Sequence, residues 1–335
     1  MKFNSTNFML VISTEKIRTT TRKQHAMKIA SIDIGTNSTL LVIAEYDGNT
    51  LSPVHNSVEI TRLGQGVGKT GKFHPEAVER TFETLEKYKQ ICDEQDVEKV
   101  LIGGTSAMRD AENGSDFIVR VREELHWKIQ ILSGDDEARL TFLATRHEFS
   151  ELSGDLLVID IGGGSTEFIA GNTNELQFMK SLDVGTVRFT EQFIENDPPS
   201  KDELAAAREI IQEHLRNELR ELRITAESSM LIGVAGTVTT LLAVQKQMEE
   251  YHPEKIHRQP LTLEQINQLC EVFCSMPFAQ RKELPGLQPK RADVIIMGTV
   301  ILQEIMKFYN FTELLVNDRG VRYGLLYDWL EQTDR

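Results

Sequence analysis

The sequence lacks the marks of several protein classes. No apolar run approaches the roughly 20 residues that a membrane-spanning helix needs, so a membrane protein is not expected. There are three cysteines in 335 residues (Cys92, Cys270, Cys274). They form no C-x-x-C pair, and an odd count argues against a disulfide framework. A reducing cytoplasm fits. Cys270 and Cys274 stand one helical turn apart, which reads as packing rather than metal binding. The eight histidines are scattered without an H-x-x-x-H pair, and His252 and His257 are expected at the surface. Positive charge is also short: 37 Lys and Arg against 51 Asp and Glu leave a formal net charge of −14. That balance disfavours nucleic acid and anionic membranes as partners.

What remains is an ordinary globular composition, 40% apolar and 26% charged. The length exceeds a usual single core, so two domains are expected. Residues 1–26 read as an extension, either a disordered arm or a misassigned start. Their "FMLVI" is too short for a signal-peptide core and no small-residue cleavage site follows it. At Met27, "MKIASIDIG" reads like a natural start.

The most informative stretch is "VIDIGGGSTEFI", residues 158–169. An apolar strand runs into an aspartate, three glycines and two hydroxyls, then turns apolar again. "ASIDIGTNSTLLVI", residues 30–43, repeats the layout 127 residues earlier, with Asp33 matching Asp160, Gly35 matching Gly162 and Ser38 matching Ser165. That spacing fits a duplicated α/β domain rather than a short-period solenoid. Glycines let bare backbone N–H groups point into one concave space, a nest that suits phosphate oxygens. Thr36, Asn37, Ser38, Ser165 and Thr166 add side-chain donors. An aspartate before the glycines makes sense if a divalent cation bridges carboxylate and phosphate. The alternative is a tight turn that needs glycine for a left-handed φ and caps itself with Asp and Ser.

Other segments place these turns. Residues 28–46 read as two strands, and "HPEAVERTFETLEKYKQICDEQ" as a helix with the stripe Val78, Phe82, Leu85, Ile91. "KVLIGGTSAMRDAENG" is a strand, a glycine turn and a short helix. In "ILSGDDEARLTFLATRHEF", Ser133 is an N-cap and Asp136 completes a capping box. Helices are expected over 201–222, from 238, near 262–275 and 290–309, and at the end, after the strand "ELLVND". "GVAGTVTT", residues 233–240, carries a strand into a helix through Gly236 and Thr237, a junction that can hold an anion. "GQGVGKTG", residues 64–71, imitates a Walker A loop but is one residue short, and Gly71 and Pro75 intervene before the helix. It reads as a loop over the cleft. Arg62, Lys69 and Lys72 are either anion contacts or solvated.

These pieces together resemble the exopolyphosphatase/guanosine pentaphosphate phosphatase family of the actin/sugar-kinase/Hsp70 superfamily. "SIDIGTNS", "TRLGQGV", "GTSAMRDA", "LSGDDEARL", "VIDIGGGSTE", "DVGTVRFTE", "GVAGTVTTL", "RADVIIMGTVIL" and "VNDRGVRYGLL" occur in the family's order, over nearly the whole chain from Met27. The resemblance is to the short, two-domain members. It implies a duplicated actin-like (ribonuclease H-like) fold with an interdomain cleft. Domain I would be 27–149 plus 318–335 and domain II 150–317. The implied activity is hydrolysis of terminal phosphate from inorganic polyphosphate or from guanosine pentaphosphate, in a cytoplasmic homodimer.

By the same resemblance Glu137 is the catalytic carboxylate, acting as general base on water. Asp160 and Glu167 hold Mg²⁺ or Mn²⁺, with Asp33 a further candidate. Asn37, Ser38, Gly162, Gly163, Gly164 and Ser165 contact phosphate, joined by Thr105, Ser106, Gly236 and Thr237. Arg109 neutralises phosphate charge. Read without the family, Glu137 is an acidic residue in a helix's first turn, and Arg109 pairs with Asp110 or Glu112. Arg188 and Arg319 either line a channel or form structural ion pairs. Two departures stand out: Asp136 where glutamate is commoner, and Tyr323 after Arg322 where members have R-E-G, a change that would bear on domain closure or substrate preference. A small-molecule kinase shares the fold, but no separate acceptor motif is found. A non-catalytic polyphosphate or (p)ppGpp sensor has no need of Glu137.

Overall fold

Near-continuous apolar runs build the strands that carry both turns. Ile29, Ile32, Ile34, Leu41, Val42 and Ile43 are all fully buried, the pattern of strands covered on both faces. They lie in Met27–Ile34 (β1) and Thr39–Tyr46 (β2), which pair antiparallel. The protein is described by a computed structural model over residues 26–48 and 50–333; apart from Ala26, the expected N-terminal extension lies outside the described residues.

Leu51–Glu59 (β3), Lys99–Gly104 (β4) and Ile129–Ile131 (β5) complete the first sheet, in the order β3-β2-β1-β4-β5. The second sheet contains Asp155–Ile161 (β6), Thr166–Gly171 (β7), Leu176–Leu182 (β8), Ser229–Val234 (β9), Pro260–Thr262 (β10) and Glu313–Val316 (β11). Its order is β10-β11-β9-β6-β7-β8. Read from β8, the second sheet repeats the first strand for strand and adds β10 at the far edge. Each half opens with an antiparallel meander, β1–β3 or β6–β8, and continues with parallel strands. This is the duplicated actin-like α/β fold, and the internal repeat is its signature.

Each sheet has its own apolar core. One gathers Ile32, Phe82, Tyr88 and Val121 beneath the first sheet; the other gathers Leu157, Phe189, Phe273 and Val300 beneath the second. Two helices lie between the halves and touch each other. Gly134–Glu148 packs on β6, β7 and β8, and Val321–Thr333 packs on β1, β2 and β4. The Ser133–Asp136 capping box is present. The helix at Pro75–Glu94 buries Phe82 and Leu85 and half-buries Val78 and Ile91. Among the described residues no helix is long and apolar enough to cross a membrane.

Some boundaries differ from the sequence reading. The helix expected over 201–222 ends at Glu218, because Leu219 and Leu222 turn into the core. The helix expected from 238 begins at Ala235, directly after β9. Helix Gly114–Leu125 and the edge strands β3 and β8 were not foreseen. Edge strands bury little, and β3 leaves Val54 46% exposed, so its apolar alternation is weak.

Candidate active site

The β1–β2 and β6–β7 turns are built alike. Gly35 N–H donates to the Ser38 carbonyl at 2.8 Å, and Gly162 N–H to the Ser165 carbonyl at 3.0 Å. The glycines are not there for a left-handed φ: none of Gly35, Gly162, Gly163 or Gly164 adopts one. Gly163 and Gly164 are there because the two halves abut, whereas at Gly35 and Gly162 a Cβ would press on the carbonyl of the same turn, 3.0 Å from that of Ser38 and 3.1 Å from that of Ser165. A Cβ on Gly163 would lie 2.9 Å from Thr36 Cβ, and one on Gly164 would lie 2.4 Å from Ser106 Oγ. The N–H groups of Gly163, Gly164 and Asn37 find no protein acceptor among the described residues. Two nests therefore meet at one place.

That place is a cleft of about 660 Å³ between the halves. Its wall includes Asp33, Asn37, Ser38, Thr105, Ser106 and Glu137 from the first half and linker helix. From the second half come Asp160, Gly162, Gly163, Gly164, Ser165, Glu167, Gly236 and Thr237. Every predicted site residue but Arg109 lines it, and Arg109 reaches it through Glu137. Its guanidinium donates to Glu137 Oε1 and, at 2.6 Å, to the Leu132 carbonyl. Asp110 and Glu112, the partners of Arg109 on the reading without the family, are engaged elsewhere: Asp110 accepts from Arg188 at 2.7 Å and Glu112 pairs with Lys72. Arg188 also donates to the Gly164 carbonyl at 2.8 Å, while Arg319 pairs with Glu148 at 2.5 Å. Both arginines are thus held in ion pairs. Lys69 is exposed, and Lys72 pairs with Glu112 at the surface. Arg62 reaches across to Asp293 at 2.7 Å.

The carboxylates crowd one another. Asp160 and Glu167 are direct cross-strand partners, and like charges placed so are unfavourable. Burial, and then Asp160, pushes Glu167 up to about 7; burial pushes Asp160 up to about 6 against a Thr141 hydroxyl bond of 3.2 Å. Asp33 rises to about 7, through desolvation first and Asp160 second, with Arg322 opposing. Glu137 is 6% exposed. Desolvation and Glu167 lift it well above the ordinary carboxylate range despite Arg109.

Buried negative charge in excess of positive charge fits a cation. Asp33 Oδ1 and Asn37 Oδ1 are enclosed without a hydrogen-bond partner, and the donors are all oxygen, as Mg²⁺ or Mn²⁺ require. Among the described residues no three carboxylate, imidazole or thiolate side chains converge as a closed metal centre.

Gly236 differs from the expectation. The space over it is filled by the Arg291 guanidinium, whose Nη1 would lie 2.0 Å from an added Cβ. The preceding Ala235 has φ 69°, a strained conformation for a residue with a side chain. Thr237 donates to the Ile161 carbonyl at 3.3 Å. The departure at Tyr323 is accommodated in the core: its ring is buried, and its hydroxyl accepts from the cleft residue Asn56 at 3.1 Å.

A sequence profile of the Ppx/GppA phosphatase family matches residues 41–333. The chain belongs to the Ppx/GppA family. It is 34% identical over 289 residues to exopolyphosphatase 2 of Mycobacterium tuberculosis, covering 84% of this chain and 90% of that protein. It is 38% identical over 313 residues to the bifunctional 3-dehydroquinate synthase/phosphatase of Fusobacterium nucleatum, covering 90% of this chain but 46% of that longer relative. Among solved structures it resembles the Aquifex aeolicus Ppx/GppA family member (TM-score 0.78, 31% identity, 93% of this chain and 100% of that one). It also resembles an exopolyphosphatase from Cytophaga hutchinsonii (TM-score 0.84, 29% identity, 91% and 98%). Membership of this phosphatase family agrees with the unpaired backbone N–H groups and buried carboxylates of the cleft.

Sequence reasoning missed several cleft residues: Arg322, Tyr251, Asp318 and Asn56. Arg322 had one usable signal, its place at the start of the helix that follows the last strand of the second sheet.

Proposed function

We propose that this Ppx/GppA protein is an exopolyphosphatase, releasing terminal orthophosphate from inorganic polyphosphate with Glu137 as general base. The observation that carries the reading is the position of Glu137, buried in the wall of the cleft where the two nests meet. A carboxylate with a raised pKa is a stronger base than a free one. The nests and Arg109 hold the terminal phosphate, and Glu137 orients water and takes its proton. Mg²⁺, held by Asp160 and Glu167 with Asp33 nearby, would supply neutralisation of phosphate charge. The same proposal treats 27–149 with 318–335 and 150–317 as the two domains, and the protein as a cytoplasmic homodimer; light scattering tests the dimer.

Guanosine pentaphosphate is the second substrate reading. One observation favours it: the cleft extends beyond the turns between Met248–Pro253 and Gly286–Arg291. There Ala243, Met248 and Leu287 offer apolar wall beside Tyr251. Parallel phosphate-release kinetics on long-chain polyphosphate, tripolyphosphate, pppGpp and ATP, with and without Mg²⁺, decide between them. Polyphosphate is expected to turn over faster than pppGpp at equal phosphate-end concentration; the reverse preference rejects the exopolyphosphatase reading. Transfer of phosphate to an acceptor other than water would mark a kinase, and tight binding without turnover a sensor.

A further inference from the structure

Arg322 lies in the first turn of helix Val321–Thr333 and is 9% exposed. It lines the cleft. One Nη donates to the Asp318 carbonyl at 3.1 Å, and the guanidinium stands 5.2 Å from the Tyr323 ring centre. Among the described residues it forms no ion pair with a carboxylate, and its Nε–H is enclosed without an acceptor. A guanidinium taken out of water and left unpaired is costly. In an anion-binding cleft, the group that offsets this cost is an anion that arrives.

Three arginines bear on the cleft: Arg109 through Glu137, Arg291 over Gly236, and Arg322 at the start of its helix. The charge of Arg109 acts on Glu137 and Glu167. That of Arg322 acts on Asp33 and on Tyr251, in the far arm. The segment that carries Arg322 abuts the carboxylates: a Cβ on Gly320, two residues before it, would lie 3.7 Å from Asp160 Oδ2, so a phosphate chain whose terminal group sits at Glu137 passes Asp160 and reaches Arg322 on the same cleft wall.

We propose that Arg322 is a substrate-binding residue that holds the phosphate next to the one being hydrolysed, and so takes the charge that gathers on the leaving group. This deepens the phosphohydrolase reading above and rests on it. In the step, water oxygen bonds to the terminal phosphorus and its proton passes to Glu137. The bond from that phosphorus to the bridging oxygen breaks, and the electron pair stays on the bridging oxygen of the shortened chain. Arg322 stabilises that oxygen's phosphate with a charge-assisted hydrogen bond.

The test compares wild type, Arg322→Gln and Arg322→Lys on tripolyphosphate and on acetyl phosphate, whose leaving group is a carboxylate without phosphate. Removing one preorganised donor to a developing negative charge costs about 10²–10³ in kcat. That loss is expected for Arg322→Gln on tripolyphosphate, with a loss at least tenfold smaller on acetyl phosphate. Lysine restores the charge but not the fork, and should recover part of the tripolyphosphate rate. Equal losses on both substrates would assign Arg322 a structural role and overturn the proposal. If wild type turns over neither substrate, the phosphohydrolase reading fails. Calorimetric affinity for imidodiphosphate then decides Arg322: a tenfold loss in Arg322→Gln, partly restored in Arg322→Lys, supports it, and equal affinities refute it.

Discussion

Replacing Glu167 by glutamine is expected to make the metal-free protein more stable at pH 8. The side chain is 2% exposed and faces Asp160 across the β6–β7 pair. Glutamine keeps the shape and can still accept the Ser181 hydroxyl, now at 2.7 Å from Oε1. What it removes is a charge the fold disfavours. The Glu167 pKa goes from 4.5 to about 7 on folding, and each unit is worth about 1.4 kcal/mol. Ionised Glu167 therefore opposes folding by roughly 3 kcal/mol. The sign follows from the raised pKa. Stability associated with the protonated group is fully present below about pH 4.5 and is lost as pH rises through about 7. The gain from glutamine should thus be nearly absent at pH 4.5 and complete at pH 8. Thermal melts in chelator at both pH values measure it, with a rise on the order of 5 °C expected at pH 8. A fall at pH 8, or the same gain at both pH values, would refute the claim that the fold disfavours an ionised Glu167 in the absence of a cation.

Two further variants probe the same site. Asp160→Asn keeps the Thr141 bond but weakens the proposed ion site, so part of its lost activity should return as Mg²⁺ is raised; a loss independent of Mg²⁺ over the titration would speak against that site. Gly164→Ala forces a methyl group towards Ser106 Oγ, 2.4 Å away, and should cost about 1–3 kcal/mol of stability together with activity. Ser106→Ala in the same chain should relieve part of it in a double-mutant cycle, and strict additivity would show that Gly164 and Ser106 do not meet across the cleft.

The repeated turn was legible because a strand, an aspartate, glycine and serine recur in order, and local sequence dictates a hairpin. The convergence of Glu137 with Asp160 and Glu167 was legible only through the family resemblance, since the residues come from different strands and a linker helix. The reason for the glycines was not legible. A turn's own sequence suggests a left-handed φ, whereas at Gly163 and Gly164 the requirement comes from Thr36 and Ser106 in the other half of the molecule. The partner of Arg109 was missed for a related cause: Asp110 is adjacent in sequence, but Glu137, 28 residues on, is adjacent in space. Arg322 was hidden by its neighbour. Tyr323 is the departure from the family's pattern, yet it packs in the core and the arginine before it faces the cleft.

The central claim is that Glu137 acts on water in the transition state. Glu137→Gln retains size and an acceptor for Arg109 while removing the base. Steady-state phosphate release from polyphosphate under Mg²⁺ should show kcat reduced about 10²–10⁴-fold with KM little changed. A folded Glu137→Gln protein with near-normal kcat would contradict the account and leave Glu137 as an acidic residue at the start of its helix.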